Sequence, residues 1–100
     1  MTIYYVDIDG TILTTPVKGD YTKSMPYPDR IEIVNALFDA GHTVVYWTAR
    51  GTQSGIDWHD FTVKQLAEFG CKYTQLRTDK PHYDAWIDDK AINANEFFNL

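Results

Sequence analysis

Two aspartates, Asp7 and Asp9, stand at alternate positions in Asp7-Ile8-Asp9-Gly10-Thr11, directly after the apolar run Ile3-Tyr4-Tyr5-Val6. In a strand running into a turn, that spacing suits two separate tasks. The first carboxylate can face a phosphate and a metal, beside which an ionised aspartate is a competent nucleophile towards phosphorus. The second, displaced from the metal, can give a proton to a leaving oxygen and later take one from water. Gly10 lets the chain turn sharply, and Thr11 can hydrogen-bond within the loop or cap the next turn of chain. Thr48 offers a hydroxyl and Lys80 a positive charge, both suited to phosphoryl oxygens. Asp88 and Asp89 add two more acids. Carboxylates gathered in this number repel one another unless a divalent cation joins them. Oxygen-only ligands, with no paired histidines or cysteines nearby, favour Mg2+ over zinc. Thr11, Arg50 and His82 are candidates for substrate contacts, although Arg50 is equally suited to a surface salt bridge.

These residues must be brought together by the elements that carry them. Residues 3–8 lack alternating polarity and read as a strand buried on both faces. Residues 12–28, with Pro16, Gly19, Pro26 and Pro28, read as an irregular loop with room for a short hairpin. Pro28 or Asp29 opens a helix with Ile31, Val34, Leu37 and Phe38 on one face, and Gly41 stops it. Residues 43–48 form a second buried strand. A loop at 51–55 leads to a helix capped by Asp57, with Trp58, Phe61, Leu66 and Phe69 on its apolar side, ending at Gly70. A short strand at 73–76, a loop at 77–83, a fourth strand at 85–88 and a helix at 91–98 complete the chain. Strands separated by helices imply right-handed crossovers and a parallel sheet. The expected fold is therefore a small doubly wound, Rossmann-like α/β domain with helices on both faces. Ligands in such folds bind beyond the carboxyl ends of the strands, where Asp7, Asp9, Thr48, Lys80, Asp88 and Asp89 all fall.

Length and composition agree with one domain. The 100 residues are 44% hydrophobic and 23% charged, ordinary for a globular protein. The lone Cys71 cannot form an internal disulfide, which fits a reducing compartment, and a packed thiol suits it better than a nucleophile. No apolar run approaches the ~20 residues of a membrane span, and a soluble cytoplasmic protein is expected. A net charge of −5 argues against extended nucleic-acid binding but not against a small phosphorylated metabolite. The sequence leaves a homo-oligomer open.

The order of these motifs resembles the haloacid dehalogenase (HAD) superfamily of phosphohydrolases. Asp7-Ile8-Asp9-Gly10-Thr11 matches its first motif, Thr48 after Val44-Val45-Tyr46-Trp47 its second, Lys80 its third, and Trp86-Ile87-Asp88-Asp89 its fourth. The resemblance implies Asp7 as nucleophile, Asp9 as general acid and base, and Mg2+ held by the Asp7 side chain, the Asp9 carbonyl and an acid of the Asp88–Asp89 pair, with Asp89 favoured as the direct ligand and Asp88 as a water-mediated or orienting one. An acid at the second position of Asp-x-Asp points to phosphatases and phosphomutases. The intervals between motifs leave no room for a cap domain, so residues 1–100 resemble a single capless HAD-like phosphohydrolase domain. Short bacterial and phage proteins of this kind share signatures that here read Trp47-Thr48-Ala49-Arg50-Gly51 and Lys80-Pro81-His82-Tyr83-Asp84. By analogy with them the substrate is a phosphorylated sugar or sugar acid. The alternatives are a phosphotransferase, a receiver-like phosphoacceptor, and a non-catalytic binding domain.

Overall fold

Parallel strands cannot be joined by tight turns, so each pairing needs a crossover long enough to hold a helix. The computed structural model, which describes residues 1–99, has this arrangement twice. Strand β1 (Ile3–Val6) is followed by helix α1 (Pro28–Asp39) and strand β2 (Thr43–Trp47). Helix α2 (His59–Glu68) then leads to strand β3 (Gln75–Arg77), and helix α3 (Ala94–Phe98) comes last. The sheet is three-stranded and parallel, in the order β1-β2-β3. Ile3 lies opposite Thr43 and Val6 opposite Tyr46, while Val45 lies opposite Gln75 and Trp47 opposite Arg77. The observed class is thus a small α/β fold.

The central strand is the most buried. Val44, Val45 and Tyr46 are within 4% of complete burial, and Ile31 and Val34 of α1 and Leu66 of α2 join the same core. Pro28 occupies the first turn of α1, where its missing N–H costs nothing, and Asp29 adds an acid there. Gly41 leaves that helix at φ +92°, with the His42 N–H returning to the Leu37 carbonyl.

Four expectations need correction. Strand β1 ends at Val6 rather than residue 8, and its alternate residues Ile3 and Tyr5, on one face of the sheet, are exposed, so the strand is not buried on both faces. The third strand lies slightly later than 73–76. The closing helix begins at Ala94, where the Asn93 side chain accepts the Asn95 N–H. Residues 85–88 form no strand, and Ile87 is 97% exposed. Its apolar triplet is short and is followed by Asp88-Asp89-Lys90, and no neighbouring strand hydrogen-bonds to it. The 12–28 loop carries two short 3₁₀ turns, at Val17–Gly19 and Tyr21–Lys23. An isolated antiparallel bridge between Leu13 and Pro26 closes it. Ile12 and Leu13, fully buried, anchor it to the core.

Candidate functional site

The chain leaves β1 through a turn wound around one carbonyl. The Ile8 oxygen accepts N–H groups from Thr11, Ile12 and Leu13 at 3.0–3.1 Å, and the Gly10 N–H donates to the Leu13 oxygen at 2.8 Å. Gly10 stands at φ +81°, a conformation that favours glycine. Ile8 is completely buried, so the acids on either side of it emerge from a fixed point.

Each acid has its own cation. Lys80 Nζ lies 3.7 Å from Asp7 Oδ1, and the Thr11 hydroxyl lies 3.5 Å from Asp7 Oδ2, a long contact. Asp9 receives both arms of Arg50, with Nε donating to Oδ2 at 2.9 Å and Nη2 to Oδ1 at 2.8 Å. Burial raises the Asp7 carboxyl above its usual range. Lys80 and the Ile8 amide oppose the rise, the nearby Asp9 charge adds to it, and Thr11 opposes it weakly. The Asp7 side chain keeps 37% exposure, so a ligand can reach it.

Thr48 and Lys80 are clipped together by the backbone. The Thr48 N–H donates to the Arg77 carbonyl at 2.9 Å, which extends the β2–β3 pairing by one bond. The Lys80 N–H then donates to the Thr48 carbonyl at 3.2 Å, and the Thr52 hydroxyl donates to the Lys80 carbonyl at 2.8 Å. The Lys80 side chain is nearly buried, with its ammonium 5.1 Å from the Tyr83 ring and 5.7 Å from the Trp47 ring. Asp79, the acid beside it, is occupied elsewhere. It accepts the Arg77 guanidinium and the Trp47 indole N–H, which hold its carboxyl at about 2. Lys80 is therefore directed to Asp7 rather than to its sequence neighbour.

Arg50 differs from expectation. Its side chain is fully buried and faces no solvent. Beyond Asp9 it donates from Nη1 to Thr62 Oγ1 at 3.2 Å and to Gln65 Oε1 at 2.8 Å, and its guanidinium lies 4.5 Å from the Tyr21 ring centre. A buried guanidinium with these partners is not placed to receive a substrate. Thr62 and Gln65 went unnoticed in the sequence. Their signal is their spacing, three apart on the same face of α2 as Leu66, where an apolar pair would be ordinary. Cys71 packs against the core, and burial pushes its thiol up to about 11, unsuited to nucleophilic attack.

Asp7, Asp9, Thr11, Thr48, Arg50 and Lys80 thus share one edge of the sheet. Asp88, Asp89 and His82 are exposed, and among the described residues no hydrogen bond or ion pair joins them to this group. Asp88 accepts the Lys90 N–H at 2.9 Å and, more weakly, the Trp86 indole at 3.4 Å. That amide, the adjoining Asp89 carboxyl and the indole lower the Asp88 carboxyl below its usual range. Among the described residues no three His, Cys, Asp or Glu side chains lie close enough to hold a metal ion. Asp7 suits a cation, as a partly desolvated acid with only a distant lysine, but the full ligand set implied by the family resemblance is not assembled.

No protein-family model matches this chain, and no curated protein matches it. A crystal structure of a structural-genomics target from Vibrio cholerae is similar over 100% of this chain and 89% of its own, with 26% identity and a TM-score of 0.88. The α/β fold of this chain therefore has a counterpart of nearly the same length in a solved structure. Among the described residues no helix is long and apolar enough to cross a membrane.

Proposed function

We propose that this chain is a magnesium-dependent phosphatase of phosphomonoesters, working through an aspartyl-phosphate on Asp7. The observation that supports it best is the separate pairing of two acids only two residues apart: Asp7 with Lys80, and Asp9 with Arg50. A pair of turn aspartates serving only as caps would have no use for two buried cations from distant parts of the chain. The doubly wound, capless HAD-like organisation, the cytoplasmic setting and the phosphorylated sugar or sugar acid as substrate belong to the same proposal. The doubly wound organisation derives from the alternation of strands and helices and the cytoplasmic setting from the lone Cys71 and the lack of a long apolar run, while the capless HAD-like class and the substrate derive from the motif resemblance.

The chemistry rests on the groups that the side chains face. A phosphate arriving between Asp7 and Lys80 has its negative charge met by the ammonium, and the Thr48 hydroxyl lies at the same strand edge. Asp7 attacks phosphorus, the ester P–O bond breaks, and Asp9 gives its proton to the departing oxygen. Water then attacks the phosphorus of the aspartyl-phosphate while Asp9 takes a proton from it. Phosphate leaves and Asp7 is restored. Bound Mg2+ supplies charge neutralisation to such chemistry.

Release of phosphate from an aryl phosphate and from a panel of phosphorylated metabolites, with magnesium and with chelator, tests the proposal. Wild-type protein should release phosphate only with magnesium, and Asp7→Asn should fall to background. Equal release by the variant, or no release by the wild type, overturns it. A phosphoprotein that persists without turnover favours a receiver-like phosphoacceptor.

A further inference from the structure

The Arg50 guanidinium is committed inward, and the polarity of each partner is fixed by a second bond. The Thr62 hydroxyl has one proton, and it goes to the Trp58 carbonyl at 2.7 Å. Its lone pairs are what remain for Arg50. The Gln65 side chain donates its NH₂ to the Tyr21 carbonyl at 2.9 Å, which turns its oxygen towards Arg50. Helix α2 thus presents two acceptors of set orientation, and they hold one Nη of the guanidinium. The planar fork leaves the remaining Nη and Nε aimed at both oxygens of Asp9. The Tyr21 ring covers the guanidinium and meets Trp58 edge-on at 4.9 Å, so the 12–28 loop closes the arrangement from outside.

From this geometry we infer that Arg50 is a positioning residue, which fixes the Asp9 carboxyl for proton transfer and does not itself bind substrate. The inference rests on the phosphatase function proposed above. A carboxylate has about four lone-pair sites, and the fork uses two of them. Asp9 keeps free lone pairs to carry and accept a proton while its plane is held. The same fork keeps Asp9 from swinging onto Lys80, so the two acids retain different partners and different work.

A residue that acts only through the proton-transfer group leaves a signature in the leaving group. A 4-nitrophenolate departs without a proton, whereas an alkoxide needs one. Arg50→Met should therefore leave the single-turnover burst of 4-nitrophenolate close to wild type. Turnover of an alkyl phosphate, and hydrolysis of the aspartyl-phosphate, should fall about 100-fold, as expected when general acid–base help is lost. KM for the alkyl phosphate should hold, whereas the steady-state KM for the aryl phosphate should fall as the slowly hydrolysed aspartyl-phosphate accumulates. Arg50→Lys, with a point charge in place of the fork, should recover part of the alkyl activity.

If Arg50→Met does not fold, Gln65→Leu serves in its place. It leaves the Arg50–Asp9 pair intact but removes one anchor of the guanidinium, and should show the same leaving-group bias at smaller size. Equal losses in the 4-nitrophenolate burst and in alkyl phosphate turnover, or a rise in KM with kcat unchanged, overturn the inference and leave the phosphatase standing. A wild type inactive on both substrates overturns the phosphatase, and the inference with it.

Discussion

Every buried residue of the described chain lies at or before Lys80, whereas residues 81–90 are exposed throughout and Trp86, Ile87 and Ile92 sit on the surface. The bonds differ in reach as well as in burial. Arg50 meets Asp9 across 41 residues and Gln65 meets Tyr21 across 44. Around Asp88 and Asn93 the side-chain bonds span two residues. Rings tie this part back at a few points: Trp86 meets Trp47 edge-on at 5.6 Å, and α3 is held through Phe97 against Tyr4 and through Arg30, which donates to the Thr11 carbonyl and to Asn95 and lies over Phe98. The difference teaches that acids are placed by what crosses the fold to meet them. Asp7 and Asp9 are met from β3's end and from α2's face, while Asp88 and Asp89 are met only by their neighbours.

Stability measurements can break this contrast. Leu66→Ala, in the core, should cost about 2–5 kcal/mol in denaturant unfolding. Ile87→Ala should change stability by less than about 0.5 kcal/mol. A loss above about 1 kcal/mol at Ile87 would show that this side chain is buried in solution.

The acids offer a finer comparison, in the sign of a pH effect. The Asp7 carboxyl is raised, so its ionised form is disfavoured by folding. Its contribution is full below the usual value of 3.8 and is lost as pH rises through the folded value. In chelator at pH near 7, Asp7→Asn should melt above wild type, and the gap should close as pH falls below 3.8. Asp88 is lowered, which gives the opposite sign: its contribution is present above 3.8 and lost in acid. Asp88→Asn should melt slightly below wild type near pH 7 and match it in acid. Two shifts of the same sign would erase the distinction between the regions.

Much of the site edge was legible because its signals are local. Asp7-x-Asp9-Gly10 announces a turn after a strand, and Thr43–Trp47 is apolar enough to be the central strand. Pro28 and Gly41 bracket α1 in the expected way. Arg50 was visible as a residue but not in its role, since nothing near it in the sequence tells that Thr62 and Gln65 face it. Two polar residues on a helix look solvated until their partner is known. The exposed face of β1 was equally hidden, because a strand rich in tyrosine and isoleucine reads as buried on both faces whether or not anything covers the second one. The absent fourth strand was hidden because a short apolar triplet reads as a strand whether or not a neighbour pairs with it.

Gly51, immediately after Arg50, stands at φ +84°, and a Cβ built there would overlap the Ile56 carbonyl oxygen, with the Trp58 ring also close. The bend that turns Arg50 inward therefore has a single admissible residue at its exit. A library randomised at this position and selected for a folded chain should return glycine almost alone, whatever freedom the exposed positions from 52 to 57 retain. For anyone redesigning the protein, that makes the Arg50 loop a fixed part.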